Sequence, residues 1–598
     1  MDVFPDSYSR PVPVEPENPL NKRHDIGYLK RLENLLVSFS PAERLALYVL
    51  TGTLAISTLA LLAGVNASTS VSVPASGGTL TEGVVGTARF INPLLALSEP
   101  DRDISQLVYS GLMRVSPDGS IVPDLASSYE ISEDGTTYTF ALRQGLAFHD
   151  GTPFTAADVL FTVRSAQNAD VKSLRRADWE GVTAASPDPF TVVFTLPRPY
   201  APFLENTTLG ILPAHLWQNV TPEEFPFSPL NTNPVGTGPF QVNAIDTDKT
   251  GALTHYELTP FQGFALGTPH LSKITFVFFP NESVAIEAWN AGRIDSFSGL
   301  SPSELSALEE PAQILRAPLP RVFGVFLNQG HAPVLQDIAV RAALDAAIDK
   351  QALANAILRG YAAILDGPIP PGALSGDMSG NTELAIEPDP SFTEEARAIL
   401  ERNDWTWSEE DNAWKNEDDQ ALSFTLVTSD SPELVATAET LAKWWQAAGM
   451  LVSVHVYPTS ELNSSIIRPR AYDALLFGEV VGRTLDLFAF WHSSQRNDPG
   501  LNLALYTNAR ADSLLARARA TTNRNEREDL YTQFAEVVKE DRPAVFLFAP
   551  QFLYVFPEHI EGVVLGTLAT PSERFVNVYE WYTETEQVWS VFTNVAEE

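Results

Sequence analysis

The sequence predicts an α/β protein of two lobes preceded by a single transmembrane helix, and three observations carry that expectation. The 598 residues exceed what one ordinary hydrophobic core holds, so two or more lobes are expected. Apolar strand patterns at 423–427 and 451–456 flank an amphipathic helical pattern at 436–448, the β-α-β alternation of a parallel sheet. Residues 45–65 are 21 consecutive positions without a charge, matching the ~20 that a helix needs to cross ~30 Å of hydrocarbon.

Composition narrows the function. Asp and Glu number 75 against 39 Lys and Arg, a formal charge of −36. Such an excess repels nucleic-acid phosphates. The first 44 residues carry six basic and seven acidic side chains, so 33 basic and 68 acidic ones remain beyond the uncharged span, and the acidity belongs to the large C-terminal body. There is no cysteine, which excludes disulfides, thiolate metal sites, cysteine nucleophiles and a lipidated cysteine anchor.

Residues 1–44 are proline-rich, then of mixed charge, and are expected as a cytoplasmic segment. Ser40-Pro41-Ala42-Glu43 supplies an N-cap, a first-turn proline and a capping acid. The span 45–65 reads as an uncleaved signal anchor. Lys22, Arg23, Lys30, Arg31 and Arg44 precede it and no basic residue follows until Arg89, so the N-terminus is expected in the cytoplasm and the body outside. A cleavable signal peptide ending near Val65-Asn66-Ala67 is the competing reading. The long preceding segment and an apolar run beyond the usual ~7–15 residues stand against it. Residues 66–77, rich in Ser, Val, Ala and Gly, read as a tether.

In the body, Tyr129 and Ile131, then Tyr138, Phe140 and Leu142, alternate with polar residues as half-buried strands do, around a Glu133-Asp134-Gly135-Thr136 turn. Thr155-Ala156-Ala157-Asp158 is a capping box that opens a helix burying Val159, Leu160 and Val163. Phe190, Val192, Phe194 and Leu196 alternate in a further strand ended by Pro197. Pro234-Val235-Gly236-Thr237-Gly238-Pro239 is glycine-rich but lacks the Lys-Ser/Thr of a phosphate loop. An apolar strand at 274–279 precedes a helix at 283–292 closed by glycine. A strand is expected at 323–328. Val340, Leu344, Ala347 and Ile348 then share one helical face, and Asp349 caps a second helix ending near Gly360. Residues 366–390 read as a long surface loop, and 404–419 as an acidic, Trp-bearing hairpin.

No enzyme constellation emerges. The nine histidines lack any His-Glu-x-x-His spacing, and no Gly-x-Ser-x-Gly elbow occurs. His149, adjacent to Asp150, reads as fixing a turn. No catalytic residue, metal site or cofactor is expected. The pattern suits a binding cleft that closes by hinge motion.

The run Leu125-Ala126-Ser127-Ser128-Tyr129, the Glu133-Asp134-Gly135 turn, Leu142-Arg143, and then Gly145-Leu146-Ala147-Phe148-His149-Asp150-Gly151-Thr152-Pro153-Phe154-Thr155-Ala156-Ala157-Asp158-Val159 resemble the signature of the family 5 extracellular solute-binding proteins. These are receptors of peptide and nickel ABC importers. Similar landmarks follow in family order at 89–94, 210–216, 234–240, 340–349, 471–479, 501–508 and 541–548, so the resemblance spans about 78–579. It implies a two-lobe periplasmic-binding-protein-like fold of type II, in the large cluster with an extra subdomain. Lobe 1 would be 78–325 with an inserted subdomain at about 114–230, lobe 2 would be 326–544, and 545–598 would return to lobe 1.

The implied function is a membrane-tethered extracytoplasmic receptor that captures peptides or similar solutes and delivers them to ABC importer permease subunits. The ectodomain would be monomeric and hinge about strands near Phe326 and Ala544. An envelope sensor, chaperone or wall-peptide scavenger on the same fold is the alternative. The ligand-binding residues implied are Phe90, Asn92, Asn328, Gly478, Glu479, Val480, Arg483, Asp486 and Trp491. One departure stands out. Peptide-binding relatives place an aspartate in a Trp-x-x-Asp-type segment to pair with the ligand amine. Here Arg483 falls near that position, and Asp486 matches a later acid. Either Glu479 substitutes, or the group recognised is not an amine and Arg483 holds a carboxylate or phosphate.

Overall fold

The computed structural model describes residues 27–590 except 250, 252, 310, 311, 375–390 and 484. Most of the expected cytoplasmic segment, most of the 366–390 loop, and residues 591–598 therefore lie outside the described residues. The chain forms two compact units, 1–73 with 585–598, and 74–584.

The first unit contains the helices Gly27–Ser38 and Pro41–Thr69. The expected cap is present: the Ser40 N–H donates to Glu43 Oε2 at 2.8 Å, and the Glu43 N–H returns to Ser40 Oγ at 3.4 Å. The helix has 29 residues, about 44 Å at ~1.5 Å per residue. Within its segment Pro41–Asn66 an 18-residue stretch has a mean hydropathy of 2.0 with no residue buried, so the segment is long and apolar enough to cross a membrane. Residues 66–77, expected as a tether, hold the last helical turn and the strand Ser70–Ala75, which pairs with Glu584–Trp589. The alternation of Ser70-Val71-Ser72-Val73 is the local reason.

The second unit is built on a 12-stranded mixed sheet. One half holds the parallel strands Thr79–Val85 and Lys273–Phe279 with the antiparallel strands Phe240–Thr247 and Leu253–Pro260 at its edge. The other holds Arg321–Leu327, Ala474–Val480, Ser423–Ser429 and Leu451–Tyr457, the last two parallel around the helix Pro432–Ala447 as expected. Ala544–Phe556 runs through both. Its first half pairs with Arg321–Leu327, setting Ala544 opposite Phe326, and its second half pairs with Gln313–Pro318. The chain thus passes between the halves at 318–321 and again near 549–551.

Strand periodicity distributes the second half's core to two faces. Val325, Leu327, Leu476, Val545 and Leu547 enter one buried cluster with Trp445, while Val322, Phe326, Leu475 and Phe546 enter another with Trp491. The first half packs one large cluster that also takes in Tyr138, Phe140 and Phe194 from the antiparallel sheet of Ala126–Ile131, Thr137–Leu142, Thr191–Thr195 and Thr183–Asp188, and a smaller one about Phe279, Trp289, Phe297 and Val555. Asp158 acts twice in this region. Its Oδ2 accepts the Thr155 N–H at 2.9 Å, and its Oδ1 accepts the Ala214 N–H at 3.0 Å.

The glycine-rich loop is a helix stop. The Gly238 N–H donates at 2.8 Å to the Val108 carbonyl, one of the acceptors left open at the end of the helix Glu99–Val108. A Cβ on Gly236 would stand 2.0 Å from that same oxygen, and one on Gly238 would stand 2.5 Å from the Leu107 carbonyl. His149 holds the loop's other side, its Nδ1 accepting from the Gly236 N–H at 3.3 Å and its Nε2 donating to the Gly238 carbonyl at 3.1 Å. Burial lowers the His149 pKa to about 4, which keeps the ring neutral for both contacts. Asp150, its sequence neighbour, pairs instead with His215 at 2.7 Å. Gly236→Ala is expected to cost at least the roughly 1–3 kcal/mol of an overpacked site, read as a lowered thermal midpoint. An unchanged midpoint would show that the loop relaxes freely.

Candidate binding cavity

A cavity of about 520 Å³ lies where the two halves of the sheet meet. The helix Glu99–Val108 contributes Arg102 and Ser105, the short strand Met113–Val115 contributes Arg114, and Asp124 follows the paired strand Ile121–Pro123. Ser572 and Glu573 enter from the turn Pro571–Phe575, and Val480 from the far half, at the end of Ala474–Val480. A recess of about 30 Å³ shares Arg114 and Asp124 with it and is closed by Phe264, Phe575 and Tyr579.

An ion pair joins the halves beside this cavity. Arg483 donates to Glu573, with both side chains largely buried, and the Ala569 N–H donates to the same carboxylate at 2.6 Å. Burial raises the Glu573 pKa and Arg483 opposes it. Within the second half Asp486 stands 3.0 Å from Arg519, whose guanidinium covers the Phe488 ring at 4.6 Å. Both meet Tyr200 of the first half, which donates to Asp486 at 3.5 Å and lies with its ring 5.2 Å from the guanidinium.

Of the nine residues expected at a ligand, Val480 lines the cavity, and it is 57% exposed. Arg483 and Asp486 form the contacts just described. Phe90 is half-buried, its N–H donating to Asp101 at 2.8 Å. Asn92 is fully buried, donating to Asn231 at 3.1 Å and accepting from the Leu94 N–H at 3.0 Å. Asn328 ties a turn, donating to the Arg470 carbonyl at 3.0 Å and accepting from the Gly330 N–H at 3.2 Å. Gly478 pairs with Phe323, whose ring lies 2.7 Å from where a Cβ would stand. Trp491 is buried against Phe326 and Phe546 at 6.1 and 5.7 Å. Sequence reasoning did not single out Arg114, Asp124 or Glu573. The only signal for the first two was a pair of charges bracketing a short turn.

Glu479 is 2% exposed, and neither carboxyl oxygen has a hydrogen-bond partner among the described residues. Burial pushes its carboxyl well above the usual carboxylate range, and the Trp491 indole opposes this without closing a well-formed bond. A folded-state pKa above the unfolded ~4.3 means that the unfolded chain releases this proton first as pH rises. Glu479 therefore lowers stability progressively above about pH 4.3 and up to its folded pKa. Glu479→Gln should raise the thermal midpoint at neutral and alkaline pH and leave it nearly unchanged at pH 4. An equal shift at every pH would sink this account.

Two lobes on one sheet, sharing a crossing strand with a cavity beside it, have the architecture of a two-lobe solute-binding protein. The family described as bacterial extracellular solute-binding proteins, family 5 Middle, matches residues 120–507, and the chain belongs to it. It is accordingly a binding protein, not an enzyme. The oligopeptide-binding protein AppA of Bacillus subtilis is 26% identical over 86% of this chain and 94% of its own. The crystal structure of the ABC transporter substrate-binding protein CtaP from Listeria monocytogenes superposes with a TM-score of 0.70 at 25% identity, covering 85% of this chain and 100% of that one. NikZ from Campylobacter jejuni, solved in complex with Ni(L-His), gives 0.64 at 27%, covering 84% and 99%.

Proposed function

We propose that this chain is a membrane-tethered extracytoplasmic receptor that captures peptides or peptide-like solutes in the cavity between its lobes and presents them to an ABC importer. The observation that carries this reading is the cavity of about 520 Å³, lined by both charged and apolar side chains, at the crossing of the shared sheet, within the ~300–1,000 Å³ typical of ligand sites. The similarity to oligopeptide-binding AppA supports peptides as the solute class. The apolar Pro41–Asn66 helix, with basic residues before it, supports an anchor that leaves the N-terminus cytoplasmic. Lobe 1 then comprises 78–325 and 545–584, with the insertion at about 114–230, and lobe 2 comprises 326–544; residues 585–598, expected to return to lobe 1, group with 1–73 instead. Ligand draws the lobes together about the strands at Phe326 and Ala544.

Native mass spectrometry of the full-length protein in detergent tests the ligand class. A co-purified peptide or a saturable peptide complex is expected, and failure to retain any peptide under saturating conditions overturns it. N-terminal sequencing of the cell-associated protein should find residues before 45, whereas a start near Ser68 refutes the anchor. In a deletion strain, loss of labelled-peptide uptake is expected. Intact uptake with peptide binding retained assigns the fold to sensing, chaperoning or scavenging instead.

A further inference from the structure

Several charges at the cavity are already committed: Glu573 is held by Arg483, and Arg175 lies 3.0 Å from Asp178. Arg114 and Asp124 differ. Nε and Nη1 of Arg114 are buried with no hydrogen-bond partner among the described residues, and so is Oδ1 of Asp124, a side chain 4% exposed. The two border the cavity and its recess together, and no hydrogen bond joins Arg114 Nε or Nη1 to Asp124 Oδ1. The Arg114 guanidinium lies 5.6 Å from the centre of the Tyr579 ring. Arg143, the other cation near Asp124, spends its Nε–H on the Asp124 backbone carbonyl at 2.7 Å. Ser105 Oγ and Ser572 Oγ, also at the cavity wall, are buried without partners among the described residues.

Buried donors and acceptors are normally satisfied, and orphans converging on one cavity indicate groups supplied from outside the chain. We propose that this end of the cavity is a zwitterion-reading subsite, in which Asp124 accepts from a ligand ammonium group and Arg114 donates to a ligand carboxylate, with the two serine hydroxyls completing the shell. The physical basis is complementarity. A desolvated carboxylate favours an ammonium group, a guanidinium favours a carboxylate, and each discriminates strongly against a neutral end that leaves it unpaired. Burial raises the Asp124 pKa to about 6 against the opposing pull of Arg114, Ser110 and Arg143, and a bound ammonium would add to that counter-charge. The ligand class is therefore a short peptide with both ends free. Recognition lies with the first lobe's 113–124 hairpin, while the 478–486 segment, through Arg483 and Asp486, joins the lobes. This rests on the peptide-capture reading above.

The test is calorimetric titration of the full-length protein in detergent with trialanine, N-acetyl-trialanine and trialanine amide. Wild type should bind the free peptide about 10–100-fold more tightly than either blocked form. In Asp124→Asn the acetylation penalty should shrink towards none while the amidation penalty persists, and in Arg114→Gln the reverse should hold. Arg114→Lys, which keeps the charge, should restore part of the amidation penalty, and thermal melts confirm that each variant is folded. Penalties that persist unchanged in folded variants overturn the subsite and leave peptide capture standing. A wild type that binds none of the three forms, and no peptide in the native mass spectra, overturns capture and the subsite together.

Discussion

Arg574→Ala is expected to remove roughly 3–5 kcal/mol of folding stability. The guanidinium is fully buried, with Nη2 donating to Glu82 at 2.8 Å and to Asp103 at 2.7 Å, and Nη1 donating to Asp103 at 3.0 Å and to the Pro571 carbonyl at 3.1 Å. Tyr554 donates to the same Glu82 carboxylate at 2.8 Å, and Ser296 also donates to it. Burial by itself raises the Glu82 pKa, and the arginine is the largest force opposing that rise. Truncation would leave two carboxylates in a dry core against one tyrosine and one serine hydroxyl. The network ties the strand Thr79–Val85 and the helix Glu99–Val108 to the turn Pro571–Phe575, which carries Ser572 and Glu573 to the cavity. Arg574→Lys should recover little, because an ammonium cannot make the two parallel bonds to Asp103. Denaturant midpoints measure both variants, and an alanine variant within 1 kcal/mol of wild type would contradict this account.

Trp491→Ala is expected to cost about 3–5 kcal/mol, the usual range for deleting a buried large aromatic side chain. The indole is 1% exposed, with the rings of Phe326, Tyr506, Phe534 and Phe546 about it at 6.1, 6.3, 6.4 and 5.7 Å. Its segment is fixed by Asn502, fully buried, whose Nδ2 donates to the carbonyls of Trp491 and His492 at 3.3 Å and of Tyr506 at 3.0 Å, and whose Oδ1 accepts the Tyr506 N–H at 3.0 Å. Equilibrium unfolding checks the figure. If Trp491 were instead a wall of the ligand site, the variant would keep its stability and lose peptide affinity, the opposite pattern.

Much of the fold was legible because its signals are local. The Ser40–Glu43 and Thr155–Asp158 boxes each lie within one turn of chain, and the structure places helices at both. The 423–456 β-α-β unit was readable from periodicity, since a pleat and an amphipathic face are written every two and every three to four residues. The strand at 70–75 was missed because its alternation is short and its composition suits a linker equally well. The Gly236–Gly238 loop was correctly excluded as a phosphate site, but its purpose required Val108, far off in sequence, to be seen beneath it.

The sequence by itself determined the α/β class, the apolar N-terminal span, the capped helices and, through an ordered set of motifs, the family. Tertiary structure alone decided the cavity and its charges. Arg114 and Asp124 reach one wall because a hairpin turns between them, Arg483 meets Glu573 across 90 positions, and Glu82 meets Arg574 across 492. Capping and pleating depend on neighbours a few bonds away, whereas an ion pair or an orphaned donor depends on the path of the whole chain, which no local pattern specifies.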